Sequence, residues 1–161
     1  MFTPKSLLRN ARSFSPLREL SVGGLQRVID DPNRGGSRQS VKRLILCSGR
    51  IYYDLTGHEL YENNDTVAVV RVELLYPFPR EQIMELIAGY PNVEEILWVQ
   101  EEPKNMGARR FVFTRARERE LLPEGVRLGY VGRQYRASPG EGYPSAHHIE
   151  QDRILRDALG T

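Results

Sequence analysis

Short apolar, β-branched segments alternate four times with amphipathic segments over residues 41–161, and this alternation restricts the fold more than any other feature. The apolar segments are "VKRLILCSGR", "TVAVVRVEL", "VEEILWVQ" and "GVRLGYVGR". The segments with helical spacing are "IYYDLTGHELYE", "REQIMELIAGY", "GARRFVFTRARERELL" and "SAHHIEQDRILRDALG". Alternation of this kind predicts an α/β domain with a mostly parallel sheet and helices on both faces.

The first forty residues show no sustained helical or strand period. They contain three prolines and two Gly-Gly pairs, which are typical of turns. We therefore predict an extended arm over residues 1–40, followed by the α/β domain over residues 41–161. The apolar residues of the arm are expected to be ordered only where they pack on another surface. Residues 31–40 are the best candidate for a mobile link.

Basic residues are concentrated near the amino terminus, although the formal net charge of the chain is only +2. Residues 1–50 carry ten Lys or Arg against three Asp or Glu, whereas the other 111 residues carry 13 against 18. Such an arm is able to bind an anion, or to lie on an acidic surface of its own protein. Aromatic residues are not interleaved with the basic ones as in a nucleic-acid platform, so no nucleic-acid partner is expected.

Composition and cysteine use are typical of a globular protein in a reducing compartment. Hydrophobic residues make up 40% of the chain and charged residues 27%, and no apolar run approaches the ~20 residues of a membrane span. The amino terminus does not resemble a secretory signal, because basic residues interrupt it. The single cysteine, Cys47, excludes an internal disulfide and is expected to pack as a small apolar residue. We therefore expect a cytoplasmic protein with no membrane partner.

Loops at the carboxyl ends of parallel strands are where such sheets usually bind ligands. Glu101 and Glu102 end the third apolar segment, and adjacent residues point to different sides, so they are not expected to form an acid–base pair. Pro103 disfavours a helical conformation at Glu102. Asn105 is expected to cap the next helix, and Gly107 permits close backbone approach. We interpret this stretch as a rigid, charged corner that contacts a neighbouring domain.

The loop "GRQYRASPGEG" places Arg133 and Arg136 among small and turn-forming residues. It is suited to hold an anion or a partner's carboxylate, and a solvated turn is the alternative. His147 and Gln151 share one face of the last predicted helix, where His147 is expected to form hydrogen bonds at the helix start or at an interface. The sequence contains no phosphate-cradle motif and no metal-ligand spacing. We therefore predict no catalytic residue, no cofactor-binding residue and no metal ligand in this chain.

Five strings, in the same order, resemble the C-terminal domain of the thiamine-diphosphate-dependent 2-oxoglutarate dehydrogenases, the decarboxylating first components of their complexes. They are "FTPKSLLRN", "LILCSGRIYYDL", "VAVVRVELLYPFP", "WVQEEPKNMGA" and "YVGR…ASPGEGY…HHIEQ". The resemblance covers essentially the whole chain and departs from the family pattern at Leu74, at Arg109 and at residues 134–136. It implies a transketolase C-terminal-like fold, preceded by an arm that leaves an upstream domain.

The resemblance further implies that the full-length enzyme binds thiamine diphosphate and magnesium. That enzyme oxidatively decarboxylates 2-oxoglutarate and passes the succinyl group to a lipoyl arm of the succinyltransferase component. The family binds its cofactor in upstream domains around a G-D-G motif, which this chain lacks, so the isolated chain is predicted to be inactive. The implied partners are those domains and a second copy, in a homodimer of the cytoplasm or, in a eukaryote, of the mitochondrial matrix. Met1 is expected to be an internal methionine or the start of a truncated product.

This interpretation assigns several residues to domain or dimer contacts: Glu101, Glu102, Lys104, Asn105, Arg133, His147 and Gln151. Some actinobacterial relatives bind acetyl-CoA as an activator in this domain, and only Arg27 keeps a residue suited to such an anion. Replacing Glu101 or Glu102 with Ala in the full enzyme is expected to weaken assembly more than turnover. Two alternatives remain open: a free-standing binding or regulatory module on the same fold, and the equivalent domain of a related 2-oxo acid dehydrogenase.

Overall fold

The computed structural model describes residues 4–118 and 121–160. Residues 1–3 of the predicted arm, residues 119–120 of the helix predicted over 107–122, and residue 161 lie outside the described ranges. The strands are β1 (Val28–Ile29), β2 (Arg43–Cys47), β3 (Val67–Val72), β4 (Glu95–Pro103) and β5 (Arg127–Arg133). The helices are α1 (Leu17–Ser21), α2 (Ile51–Thr56), α3 (Glu59–Glu62), α4 (Arg80–Ala88), α5 (Arg109–Glu118) and α6 (Pro144–Leu159).

The strands form one sheet in the order β1-β3-β2-β4-β5. Strands β2 to β5 pair in parallel, whereas β1 pairs antiparallel with β3. The prediction of a mostly parallel α/β sheet is therefore confirmed. The chain passes from β2 to β3 on one side and returns to β4 on the other side of β2. The strand order thus reverses between β2 and β4, which is a topological switch point of the kind where open sheets bind ligands.

Helices cover both faces of the sheet, as predicted, because the central strands are apolar on both sides. On one face α4 and α5 bury Ile83 and Val112 against the layer that contains Trp98. On the opposite face α2 and α6, including the fully buried Ile154, pack against the layer that contains Val99. The alternation of strand residues between these two layers fixes which side chains reach each face at the ends of the strands.

The segment predicted as one helix over residues 51–62 is divided into α2 and α3. Gly57 ends α2, and His58 adopts an extended backbone conformation. The Leu60 N–H then donates to Nδ1 of His58 at 3.2 Å, which caps the start of α3. The single-helix prediction was wrong because a glycine followed by a capping side chain ends one helix and starts the next.

Strand β4 continues through Glu101 and Glu102 to Pro103, with an irregularity in its pairing with β5 between Val99 and Pro103. The corner predicted at these residues follows instead at residues 104–108. The strand tolerates Pro103 because this residue is the last of β4 that pairs with β5, so the missing backbone N–H interrupts no further pairing.

Residues 31–40, predicted as a mobile link, are anchored to the sheet. Asp31 and Arg34 are only 2% and 6% exposed. The Asp31 carboxylate accepts hydrogen bonds from Tyr61 Oη and from the Val69 backbone N–H at 2.7 Å each. Arg34 Nε donates to the Val67 carbonyl at 3.0 Å. The prediction was wrong because these two buried polar side chains bond to β3 and α3.

Residues 4–27 contribute nothing to the core of the domain, since none of them is buried. Several large apolar side chains of this segment are 66–80% exposed: Leu8, Phe14, Leu17, Leu20, Val22 and Leu25. Arg12 contacts the domain at Gly57, where an added Cβ would lie 1.8 Å from Nη1 of Arg12. Within the described ranges, no helix is long and apolar enough to cross a bilayer.

Candidate functional site

Strand β4 carries Glu101 and Glu102 to the carboxyl edge of the sheet, where the two side chains point to opposite faces. Glu101 lies on the side of α2 and α6, and Glu102 on the side of α4 and α5. The prediction that the carboxylates point to different sides is confirmed. Arg50 and Gln151, which contact Glu101, line a polar cavity of about 650 Å³. Glu102 lines a separate apolar cavity of about 520 Å³.

Five side chains at this edge form one bonded group, here termed the carboxyl-edge cluster: Arg50, Asp54, Glu101, Arg133 and Gln151. Arg50 Nη2 lies 2.9 Å from Asp54 Oδ2 and 3.3 Å from Glu101 Oε1. Gln151 Nε2 donates to the same two carboxylates at 2.9 and 3.2 Å. Gln151 Oε1 lies 3.5 Å from Arg133 Nη2. The cluster therefore joins α2, β4, β5 and α6 through charge-assisted hydrogen bonds.

Arg133 ends β5 inside the domain, with only 4% of its surface exposed. Its guanidinium donates to the Glu101 carbonyl, and Nη2 lies 3.0 Å from Nδ1 of His147. Arg133 Nε lies 3.3 Å from Oε1 of Glu141. The other carboxylate oxygen of Glu141, Oε2, forms an ion pair with Arg136 Nη1 at 2.5 Å. The alternative stated from the sequence, that this loop is a solvated turn, is therefore excluded at Arg133. A contact between Arg133 and a partner stays a prediction.

Burial and neighbouring charges determine the protonation of the cluster. Burial raises the pKa of Glu101 and Asp54 adds to the effect, while Arg50 opposes it. Burial acts to lower the pKa of Arg50, but the carboxylates of Glu101 and Asp54 outweigh it and raise that pKa. Burial, together with Arg133 and Arg50, lowers the pKa of His147. A lowered pKa favours the neutral imidazole, whose Nδ1 is able to accept a hydrogen bond from Arg133.

Gln100, rather than Asn105, caps helix α5. The Gln100 side chain is 3% exposed, and its Oε1 accepts the Arg109 backbone N–H at 3.0 Å and Trp98 Nε1 at 2.8 Å. Its Nε2 donates to the carbonyl of Met106 at 2.8 Å. The capping prediction for Asn105 was wrong because the buried amide of Gln100 already occupies the start of the helix.

Gly107 makes this arrangement possible, as predicted from the sequence. Its φ is +66°, and an added Cβ would lie 2.9 Å from Nε2 of Gln100. Close approach of the loop to Gln100 therefore requires a residue without a side chain.

The remaining candidates lie around the cluster without joining it. Lys104 Nζ lies 5.9 and 5.7 Å from the ring centroids of Tyr130 and Tyr135. Asn105 exchanges two hydrogen bonds with the backbone of Arg136, at 2.9 and 3.1 Å. The side chain of Arg27 is exposed, and its carbonyl accepts the backbone N–H groups of residues 73 and 74. An effector contact of Arg27 and the partner contacts of the other candidates remain predictions.

Sequence reasoning missed several residues of this edge. Arg50 and Asp54 carried a detectable signal, because opposite charges four residues apart in a helix pair across one turn. Glu141 and Gln100 carried no such signal. A loop acid and a neutral amide acquire their roles only when α6 and α5 pack beside the strand ends.

The cluster holds elements together and does not resemble a cofactor site. The described residues contain no group of three or more His, Cys, Asp or Glu arranged for a metal ion. The carboxylates of Asp54 and Glu101 already bond to Arg50 and Gln151. The residues present do not fit a magnesium-bound pyrophosphate, and we assign no catalytic step to them.

The mostly parallel five-stranded sheet with helices on both faces is an α/β domain of the transketolase C-terminal type. The chain belongs to the 2-oxoglutarate dehydrogenase C-terminal family, whose model matches residues 14–159. It is 47% identical over 161 residues to the 2-oxoglutarate dehydrogenase E1 component of Shouchella clausii, covering 99% of this chain. The corresponding proteins of Geobacillus sp. (strain WCH70) and Bacillus subtilis are 44% and 42% identical, again over 99% of this chain. The chain spans 17% of the length of each of these relatives.

Proposed function

We propose that this chain acts as the carboxyl-terminal scaffold and contact domain of a 2-oxoglutarate dehydrogenase E1 component. The observation that carries the proposal is the 47% identity to such a component over 99% of this chain. The carboxyl-edge cluster supports it, because its acids and cations are used for internal bonds that fix strand ends and helices. In this proposal the domain supplies rigid contact surface, and the bond-making groups belong to the rest of the protein.

The complete protein, in this proposal, decarboxylates 2-oxoglutarate oxidatively with thiamine diphosphate and magnesium. It passes the succinyl group to a lipoyl-bearing succinyltransferase component and works as a homodimer in the cytoplasm, or in the mitochondrial matrix of a eukaryote. Bound thiamine diphosphate supplies the carbanion chemistry, as cofactors of this kind do, while protein groups supply position and electrostatics. Glu101, Glu102, Lys104, Asn105, Arg133, His147 and Gln151 remain the proposed contact residues.

A chimaeric enzyme tests the proposal. Residues 14–159 replace the matching segment of the E1 component of Bacillus subtilis, which is 42% identical to this chain. We expect a soluble dimer that oxidises 2-oxoglutarate at a rate within about tenfold of the parent enzyme, a barrier change of about 1.4 kcal/mol. Glu101→Ala and Glu102→Ala in the chimaera are expected to lower the dimer fraction more than the turnover of the remaining dimer.

The controls separate the competing interpretations. A parent enzyme without its own segment should fail to assemble. A chimaera that assembles but oxidises only pyruvate or a branched 2-oxo acid would place the chain in a related enzyme. A well-folded segment that cannot support assembly would favour a free-standing module. The isolated chain should bind no thiamine diphosphate, so micromolar binding in calorimetry with magnesium present would contradict the proposal.

A further inference from the structure

The apolar cavity of about 520 Å³ lies at the topological switch point of the sheet, and we name it the switch-point cavity. Ser48 and Gly49, which follow β2, form one side of it, and Gln100 and Glu102 of β4 form the other. These are the two strands between which the strand order reverses. In open α/β sheets this crevice is the usual place for a ligand, because the flanking loops diverge and leave space.

The floor and walls of the cavity are preformed and offer an apolar surface. Trp98 is 1% exposed and donates its indole N–H to Gln100, so its ring position is fixed. All polar atoms of the Gln100 side chain are used by the cap of α5 and by loop carbonyls. Leu75 and Phe111 add apolar walls, and Tyr76, at the rim, is 77% exposed. The surface is therefore suited to a flat hydrocarbon body.

The side chains of Glu102 and Ser48, which line the cavity, have no partner within the described part of the chain. The Glu102 carboxylate forms no hydrogen bond or ion pair there, although the Glu102 carbonyl accepts from Gln100 and Tyr130. The Ser48 hydroxyl is likewise without a bond among those residues. Gly49 has a φ of +76° and open space where a Cβ would lie, so the end of β2 leaves the cavity accessible. The adjacent acid differs from Glu102, since the carboxylate of Glu101, on the other face of the sheet, is bonded to Arg50 and Gln151.

We propose that the switch-point cavity is a binding site for a small organic cation with an aromatic or apolar body. The body lies against Leu75, Ala108 and Phe111, next to the buried Trp98, and the cationic head lies at the Glu102 carboxylate, with the Ser48 hydroxyl as a second acceptor. Glu102 is the one charged residue among the described residues that line the cavity, so the local charge favours a cation over an anion. The proposal concerns the 161-residue chain by itself, whereas the contact role proposed for Glu102 applies within a larger enzyme, so this proposal does not depend on the place of the chain in an E1 component.

Trp98 is the only tryptophan of the chain and lines the cavity, so its fluorescence reports on occupancy. The probes are 2-phenylethylammonium, 2-phenylethanol and phenylacetate, which share one ring and differ in charge. Each is titrated against the 161-residue chain at pH 7 and low salt. Fragments of this size bind with dissociation constants of about 0.1–10 mM. We expect the cation to quench the Trp98 fluorescence saturably. Phenylacetate should bind about fivefold more weakly, because an exposed ion pair contributes a free energy of about that size.

Glu102→Gln is the decisive variant, because it removes the charge and keeps the shape. In this variant the dissociation constants of the cation and of phenylacetate should differ by no more than about twofold. Added salt should reduce the difference in the same way in the wild type. Glu62→Gln is the matched control, since Glu62 is exposed, its carboxylate forms no bond among the described residues, and it lies outside the cavity. This control should keep the fivefold preference of the wild type.

Chemical shifts of backbone amides locate the bound probe independently of fluorescence. Shifts confined to residues 48–49, 75–76 and 107–111 support the site. The proposal is overturned if no probe saturates, if shifts concentrate instead around the polar cavity beside α6, or if Glu102→Gln keeps the preference for the cation. The last outcome would show that the ring alone determines binding. A failure of the chimaeric enzyme leaves these outcomes unchanged, so the two proposals fail separately.

Discussion

A single buried amide organises the carboxyl edge of the sheet at the residue scale. Gln100 accepts hydrogen bonds from an indole N–H and a helix N–H, and it donates to carbonyls of the following loop. One uncharged side chain thus fixes the position of Trp98, the start of α5 and the path of the loop through Gly107. A charged residue in this place would need a counter-ion that the apolar surroundings lack.

Gln100→Ala is therefore expected to destabilise the fold strongly. Removal of the amide leaves several buried donors and acceptors without partners, each costing ~1–3 kcal/mol. We expect the free energy of unfolding to fall by about 2–4 kcal/mol in urea titrations. Gln82→Ala, on the exposed side of α4, is the control and should change it by less than about 0.5 kcal/mol. Equal effects of the two variants would contradict the role assigned to Gln100.

His147 makes the stability of the chain depend on pH in a defined direction. Its ring faces Arg133 at 3.0 Å, and burial together with Arg133 and Arg50 lowers the pKa of His147 below its ordinary value. A lowered pKa means that the unfolded chain takes up the proton first as the pH falls. The stabilisation is therefore complete above the unfolded pKa of about 6.5 and is lost as the pH falls through the lower folded pKa.

We expect the free energy of unfolding to fall more steeply from about pH 7 to pH 5 in the wild type than in His147→Gln. Asp54 weakly opposes the lowered pKa of His147. The raised pKa of Glu101 acts in the opposite sense, since its ionisation penalty is relieved as the pH falls. It is present in both proteins and cancels in the comparison. His148→Gln, at the exposed neighbour, should keep the wild-type slope, and parallel curves for wild type and His147→Gln would refute the prediction.

At the scale of elements, the strand β3 is supported from outside the sheet by the segment that precedes β2. Asp31 bonds to the β3 backbone at Val69 and to Tyr61 of α3. Arg34 adds bonds to the carbonyls of Val67, Tyr61 and Asn64. A buried acid and a buried arginine thus satisfy the side of β3 that the short β1 leaves unpaired, which explains how two charged residues are tolerated inside.

Asp31→Ala should therefore lower the free energy of unfolding more than the replacement of an exposed acid does. Truncation leaves the Val69 N–H and the Tyr61 hydroxyl buried without their acceptor, for a cost of about 2–4 kcal/mol in urea denaturation. Asp65→Ala is the matched control, because Asp65 also approaches Arg34, at 3.6 Å, but its side chain is 75% exposed. Its effect should stay below about 0.5 kcal/mol. The role of Asp31 would be refuted by a loss no larger than that of the control.

At the scale of the whole molecule, the arm and the domain meet at a point that truncation can locate. None of residues 4–26 is buried, whereas Asp31 and Arg34 are. Removal of residues 1–26 should change the free energy of unfolding by less than about 1 kcal/mol. Removal of residues 1–40 should abolish cooperative unfolding, because the bonds to β3 are lost. Cooperative unfolding after both truncations would place the boundary at residue 40, as the sequence predicted.

Local pattern was enough to predict the sheet and its covering helices. Four β-branched runs and four amphipathic segments specify strands with two apolar faces, and such strands require helices on both sides. The same pattern did not reveal the break at Gly57 or the continuation of β4 to Pro103, because a glycine or proline signals a boundary without giving its exact residue.

The sequence by itself determined the α/β class, the burial of Cys47 and the opposite directions of Glu101 and Glu102, since these follow from periods of 2 and 3.6 residues within single segments. Tertiary structure alone decided which side chains meet: Gln100 with the start of α5, Asp31 with β3, and Arg133 with Glu141 and His147. The physical reason is that a hydrogen bond or ion pair between distant segments depends on strand order and helix packing, which no local period encodes.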